Sequence, residues 1–485
     1  MSQYKWLLQT ATLALACYFF MLVSQEVPSP YLDEVFHVPQ TQRYCRACNS
    51  GYRGALSVFD LGGLLRRVKW NDKITTPPGL YLLGNIYAKY FGKYAFPGSA
   101  ACGTVSLRAL NFLGTQVVLQ LTVDEAANPV GVTAFPLLFF FGLLFYTDVW
   151  ATIFVLAAVR VGGQGRSSVA VAASAAFAWI SLTFRQTNIV WAAYAAVVLL
   201  ENRYLSQRSP AATNEKEPRT TDSLVDSVVG FIKTALWTPS ITVPFAAVGA
   251  SFVYFLYWNG GIALGDKSNH AVSLNPLQLL HFLLHVVFFL GPPAVVAALL
   301  NGRALARAAG LKRTAAFVAA FILSAAALGL YLHHDRTPAH PFLLADNRHY
   351  TFYIWRKLYL PARTNLLFSL LVAGPVFAAG LALFALPFLH PDNRTTHICS
   401  SLFLLAGIVF TLVPSPLLEP RYYIVPFVLW RTRYFQVLVA RRQLRWLPVL
   451  EILWYLAINV ATVYLFLYKP FAWANEPMKL QRFMW

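Results

Sequence analysis

What most constrains this chain is the recurrence of long apolar runs. They lie near residues 6–24, 104–123, 131–146, 149–160, 168–183 and 188–201, and again near 237–257, 276–300, 314–332, 364–388, 398–413, 422–430 and 447–468. A helix that crosses a bilayer needs about 20 mainly apolar residues, so the shorter runs are read as tilted, paired or half-membrane helices. Composition agrees: 57% of the 485 residues are hydrophobic and 12% are charged. A soluble domain carries about 25% charged residues. Too little polar surface remains to cover a water-facing globule, and the pattern predicts an all-α polytopic membrane protein with about 12–14 spans. The first run has one early lysine and no small-residue cleavage pattern before Pro28, and reads as a retained span.

The net charge of +19 would raise the question of nucleic acid in a soluble protein. Here the basic residues sit in short loops between apolar runs, which is the pattern of topology determinants and anionic-lipid contacts, so nucleic acid is not an expected partner. Residues 301–313 hold Arg303, Arg307, Lys312 and Arg313 without an acid, and 431–445 hold Arg431, Arg433, Arg441, Arg442 and Arg445 without one. Both are expected on the cytosolic side. The polar stretch 203–222 has the composition of a flexible loop and belongs there too. If 78–94 does not cross, parity puts six polar segments on the opposite side. They contain Asp33 and Glu34, Asp148, Arg185 to Asn188, Asn259 to Asp266, Asp346 to His349, and Glu419 to Arg421.

Those segments hold the candidate chemistry. PYLDEVFHVPQTQRYC (30–45) puts Asp33 and Glu34 at the mouth of the first span, followed by His37. A carboxylate at such a boundary can take a proton from a substrate hydroxyl. Adjacent acids point apart on a helix, so one of the two is expected to face a given atom. DKITTPPGLY (72–81) offers Thr75 and Thr76 in a loop that two prolines hold off the helical path, or else a simple helix entry. FRQTN (184–188), LLADNRHYTFYIWR (343–356) and LLEPRYY (417–423) each place an arginine at the edge of an apolar run. Arg185, Arg348 and Arg421, with His349, suit phosphate because a guanidinium donates two parallel hydrogen bonds. Asn188, Asp346 and Tyr350 are interleaved with them. WNGGIALGDKSNH (258–270) brings Asp266 and His270 to a glycine-rich turn.

Other motifs carry less. Cys45 and Cys48 have redox-motif spacing without a βαβ context; a local disulfide and two free thiols both fit. His281 and His285 share a helix face with no acidic partner, so no metal site is expected. Asn393-Arg-Thr395 matches a glycosylation acceptor but falls on the expected cytosolic side. A transporter would divide its charges between both faces near mid-bilayer, and no internal repeat is visible.

Seven strings in order, PYLDEVFHVPQTQRYC, KITTPPGLY, FRQTNIVW, NGGIALGDKSNH, LLADNRHYTFYIW, EPRYYIVPF and QRFMW, resemble one family. It is the dolichyl-phosphate-glucose-dependent α-1,2-glucosyltransferases of asparagine-linked glycosylation. The resemblance spans about residue 30 to residue 485, the loop 201–235 excepted. It implies a GT-C-type glycosyltransferase fold in the endoplasmic-reticulum membrane, one integral domain over 1–485 with a luminal active site. A long first luminal loop (25–100) would carry the catalytic acid, and 201–235 would be a flexible cytosolic loop. The implied donor is dolichyl phosphate glucose, and the acceptor is the diglucosylated dolichyl-pyrophosphate oligosaccharide. The linkage inverts, which asks for one base (Asp33, then Glu34) and cations on the leaving phosphate (Arg421, Arg348, His349, Arg185), with no metal or other cofactor. The remaining candidates, His37, Thr75, Thr76, Asp148, Asn188, Asp266, His270, Asp346 and Tyr350, would bind substrate. The strings, not the physical pattern, separate glucose from mannose as donor sugar.

Overall fold

The computed structural model describes residues 2–49, 60–95, 100–164, 167–208, 224–267, 272–309, 311–389, 397–438, 446–474 and 476–485. Among them, six helices are long and apolar enough to cross a membrane: Trp6–Glu26, Pro239–Asn259, Leu277–Val296, Thr314–His334, Leu366–Leu389 and Leu447–Tyr468. Ser168–Leu182 and Ile398–Leu412 are shorter apolar helices. The chain is an all-α multi-pass membrane protein apart from a two-stranded antiparallel hairpin, Phe471–Trp473 with Glu476–Gln481.

Six is fewer than the apolar runs, and the reason is local. The run 104–123 is one continuous helix through a π-helical turn at Gly114–Val118, but Arg108, Asn111, Gln116 and Gln120 dilute its apolar character. The run 131–146 breaks at Phe135, because Pro136 cannot donate to the preceding turn. These pieces need not meet a bilayer on their own. Ala134, Phe135, Leu137, Leu138, Phe141, Phe145 and Tyr146 are fully buried, so other helices stand where lipid would. The outer helices behave oppositely, with 17% of the Thr314–His334 span buried.

Within 25–100, Glu34–Asn49, Leu61–Arg67 and Gly79–Tyr90 are helices. Gly79–Tyr90 has 12 residues, about 18 Å at 1.5 Å per residue, too short to cross, and it packs on Glu34–Asn49. Cys45 is bonded to Cys102, joining that layer to the approach to Thr104–Leu113; Cys48 stays a buried thiol facing the Asn85 amide at 3.2 Å. The Cys45-to-Cys48 disulfide left open by spacing is therefore not formed.

Two further expectations change. The helices Ile189–Arg208 and Leu224–Trp237 run into the stretch read as the loop 201–235, while 209–223, like Asn393 to Thr395, lies outside the described residues. Arg431 and Arg433 are not loop residues. Both lie on the helix Ile424–Leu438, and Arg431 is sealed against Glu451 with both side chains at 0% exposure. Counting basic residues along a sequence cannot tell a loop arginine from one whose acid lies twenty positions later on another helix.

Candidate active site

The turn after the first span is held from several sides. Leu32 sits at φ 51°, in the left-handed region that a branched side chain adopts at a cost. Arg108 offsets that cost, reaching from the Thr104–Leu113 helix to the Val27 and Ser29 carbonyls at 2.6 and 3.1 Å. The same guanidinium takes Glu34 in its fork, Nε to Oε1 at 2.9 Å and Nη2 to Oε2 at 2.5 Å. The Phe145 N–H adds a bond to Oε1 at 2.7 Å, and the Tyr31 N–H one to Oε2 at 3.0 Å. Glu34 is fully buried with both oxygens in use.

Asp33, one residue earlier, begins the same helix but points elsewhere. Its carbonyl accepts from the Phe36 and His37 N–H groups, which closes the first helical turn. One carboxylate oxygen, Oδ2, receives the Arg421 Nη1 at 2.7 Å, and the side chain keeps 32% of its exposure. Burial pushes the Asp33 carboxyl up, but Arg421 outweighs it and holds the group below the ordinary carboxylate value. The Asp33 N–H donates to the Tyr146 hydroxyl at 3.2 Å. His37 lies on the helix's inner face, Nδ1 2.8 Å from the Tyr81 hydroxyl, and burial pushes its imidazole down to about 4. It is neutral at pH 7.

Arg421 enters from a 3₁₀ turn, Pro420–Tyr423. Besides Asp33 it holds Glu419, and its guanidinium lies 5.2 Å from the Tyr146 ring centre. A second pair stands beside it: Arg185 Nη2 meets Asp148 Oδ1 at 2.6 Å, over the Tyr422 ring at 5.7 Å. This pair is incomplete. Asp148 Oδ2 and Arg185 Nε are both buried with no hydrogen-bond partner. Two opposite charges, each with one unused polar atom, make a place where a hydroxyl or phosphate oxygen would be satisfied.

Arg348 differs from the other two. Its fork closes on Asp346 at 2.8 and 2.6 Å, Nη1 donates to Gln481 at 3.0 Å, and its face lies 4.6 Å from the Trp473 ring centre. His349 Nδ1 lies 2.8 Å from the Trp485 carbonyl oxygen, with Nε2 3.7 Å from Asp346. Tyr350 donates its N–H to Met484, and its ring meets Trp485 edge-on at 5.0 Å. The terminal QRFMW thus forms one wall here, tied to the Asp33 turn by the Tyr31 hydroxyl and the Arg482 backbone.

The other expected residues frame this cluster. Gly79 donates to the Thr183 carbonyl at 2.8 Å, and a Cβ on it would stand 2.6 Å from that oxygen, so only glycine lets the two loops meet. The Thr75 carbonyl accepts from Leu264 and from Gln186, which also reaches Ile262. Thr76 lies beside Tyr81 with its hydroxyl buried. Asn188 is spent on the Ser181 carbonyl at 3.1 Å. Asp266 ends the 262–266 stretch that packs on the Thr75 loop, and His270 lies outside the described residues. All six polar segments meet at one end of the helix bundle.

A family model described as the DIE2/ALG10 family matches residues 63–432. This chain belongs to that family. Full-length relatives carry the match further in both directions. A Yarrowia lipolytica protein named Dol-P-Glc:Glc(2)Man(9)GlcNAc(2)-PP-Dol alpha-1,2-glucosyltransferase is 34% identical over 98% of this chain and 97% of its own. A Debaryomyces hansenii protein of the same name is 32% identical over 96% of each chain, and a human one 28% identical over 98% of this chain and 97% of its own. No solved structure matches the chain. For this DIE2/ALG10 family member, Arg185, Arg348 and Arg421 fall inside the matched stretch, whereas Asp33, Glu34 and the QRFMW wall fall outside it. Two members of the cluster were not singled out from sequence, Arg108 and Tyr146, and Glu419 was named only as the start of its polar segment. Arg108 had a signal, being the one charge inside the apolar run 104–123.

Proposed function

We propose that this chain is an inverting glucosyltransferase. It takes glucose from dolichyl phosphate β-glucose and adds it in α-1,2 linkage to the diglucosylated dolichyl-pyrophosphate oligosaccharide, at the luminal face of the endoplasmic-reticulum membrane. The observation that carries this reading is the Asp33–Arg421 pair: a reachable, ionised carboxylate beside a guanidinium, where the first span meets the polar end of the bundle. The Cys45–Cys102 bond on the same layer supports a luminal placement, since such bonds persist in oxidising compartments.

In this mechanism the acceptor hydroxyl oxygen attacks the anomeric carbon on the face opposite the phosphate. Its proton passes to the free oxygen of Asp33. The bond from that carbon to the phosphate oxygen breaks, and its electron pair leaves with dolichyl phosphate, which gains a negative charge. Arg421 and Arg185 stabilise that charge, which is the part of the barrier fixed donors lower most. Arg185 has a donor to spare; Arg348, bonded to Asp346 and Gln481 rather than to Asp33, acts as a strut. Asp148 Oδ2 takes a sugar hydroxyl. Glu34 holds the turn that aims Asp33.

The test is turnover of a dolichyl-phosphate-glucose analogue and a diglucosylated lipid-linked acceptor by detergent-purified protein, with chelator present. Wild type adds one glucose, and a folded Asp33→Asn variant is nearly silent. A wild type that accepts only the mannose donor, or no sugar donor, sinks the reading. A fully active Asp33→Asn moves the base and leaves the family assignment intact.

A further inference from the structure

The loop that delivers Arg421 has an unusual problem. It reads VPSPLLEPRYY over 413–423, and Pro414, Pro416 and Pro420 have no N–H to give. A half-buried stretch with three prolines is short of N–H donors for its own carbonyls, and others must come from elsewhere. They come from the start of the Leu277–Ala309 helix. The Gln278 amide is fully buried and donates both its hydrogens, one to the Ser415 carbonyl and one to the Leu417 carbonyl, each at 2.8 Å. Its oxygen accepts the Tyr423 hydroxyl. One side chain therefore grips the loop before Glu419 and again just after Arg421. Asn275 extends the grip: its N–H bonds the Val413 carbonyl at 2.9 Å and its amide the Pro416 carbonyl at 3.2 Å, while the Ser273 N–H takes Pro414.

We infer that Gln278 is a positioning residue for the transfer reaction: by clamping both sides of the 419–421 segment, it sets where the Arg421 guanidinium stands relative to Asp33 and the departing phosphate. This rests on the reading of Asp33 and Arg421 as the reacting pair. Arg421 is not held by its own helix, because the 3₁₀ turn it sits on is four residues long. Release of the clamp lets the guanidinium drift, and a shift of about 1 Å in a catalytic group costs on the order of 10²-fold in rate.

The closing experiment uses full-length enzyme and compares Gln278→Met, Tyr423→Phe, Arg421→Lys and the Gln278→Met/Arg421→Lys double variant. Gln278→Met keeps the side chain's length and loses all three hydrogen bonds. The expected result is a fall in kcat of about 10²-fold with little change in KM for the acceptor. The acid limb of the pH profile should also move up, because Arg421 no longer holds the Asp33 carboxyl down. The groups facing Asp33 are Arg421, His37, His349, Tyr146 and Tyr81, and of these the clamp touches the loop of Arg421 alone. The double variant should lose little more than Arg421→Lys, since residues acting as one unit are not additive. Should Gln278→Met fail to fold, Tyr423→Phe removes one bond of the clamp and should move the acid limb in the same direction by less. An unmoved acid limb in both variants, or full additivity with Arg421→Lys, overturns the inference. Neither result touches the proposed reaction, which is judged on wild type and Asp33→Asn.

Discussion

Asp33 and Glu34 are neighbours in sequence, each carries one carboxylate, and each is paired with an arginine from a distant segment. The two pairs nevertheless do different things. Glu34 and Arg108 are sealed at 0% exposure, with four donors on two oxygens and no room for anything else. Asp33 and Arg421 meet at 2.7 Å with one carboxylate oxygen spare and a path to solvent. The pair Arg431–Glu451, on the helices Ile424–Leu438 and Leu447–Tyr468, matches the first kind, fully buried and capped further by the Ala127 carbonyl at 2.8 Å. A saturated ion pair in a membrane protein holds helices in register; an unsaturated one at the polar end is where a reacting group can enter. Burial costs the sealed pairs more, and it is the spare carboxylate oxygen with its access, not charge, that separates structure from chemistry here.

The largest effect that sharpens the contrast is on turnover. Asp33→Asn should lower kcat by about 10²–10⁴-fold, the usual worth of a positioned base, with the fold intact and only the small stability of the half-exposed contact to Arg421 lost. Glu34→Gln should do the reverse. Its loss leaves Arg108 charged and uncompensated, a penalty of roughly 3–5 kcal/mol in stability, read as reduced folded yield with near-normal kcat in what survives. If both variants lose rate and neither loses stability, the distinction collapses.

A second comparison sets Arg185 against Arg348. Arg185 has an unpartnered buried Nε and should cost about 10²–10³-fold in kcat as Arg185→Lys, the range for losing a donor to transition-state charge. Arg348→Lys breaks a two-pronged fork on Asp346 and should register first in the thermal melt. Equal kcat losses would mean that the phosphate uses both. Below this comes Glu451→Gln, expected to lower stability by roughly 3–5 kcal/mol with no change in rate per folded molecule. A drop in kcat at constant stability would give that end of the bundle a part in the reaction.

These pairs also mark how far the sequence could be read. The apolar runs announce a multi-span protein because lipid imposes composition on each helix separately. Residues at run edges, Asp33, Arg185, Arg348 and Arg421, were visible for the same reason, since a charge there must be solvated, paired or used. What a pair does was not visible. Glu34 looks as reactive as Asp33 until Arg108 arrives from seventy-four positions away. Arg431 looks like a cytosolic loop charge until Glu451 folds onto it, and Cys45 reads as a thiol or as half of a local disulfide until Cys102 is brought beside it. The inner helices around 130–160 read as apolar runs whether lipid or other helices surround them, because the interior of a bundle is as apolar as lipid.

The smallest predicted effect lies in the pH dependence of stability, and it separates the two titrating groups of the site. His37 has a folded pKa of about 4, against 6.5 when exposed. Between those values the unfolded chain binds a proton that the folded chain refuses, so stability falls as pH drops from about 6.5 towards 4. Asp33 is also depressed, and its contribution is present above the ordinary carboxylate value and lost only as pH falls through its lower folded one. The two windows follow one another: His37 yields first, Asp33 afterwards. Melting temperatures of detergent-purified protein at pH 7, 6, 5 and 4 should therefore decline across that whole range. His37→Gln keeps a neutral hydrogen-bonding partner for Tyr81, so its curve should stay flatter down to about pH 4 and then fall as wild type does. Parallel curves would show that His37 is solvated rather than sealed. The neutral inner face of the Asp33 helix would then be lost, and a charged imidazole would join Arg421 in holding the carboxylate down.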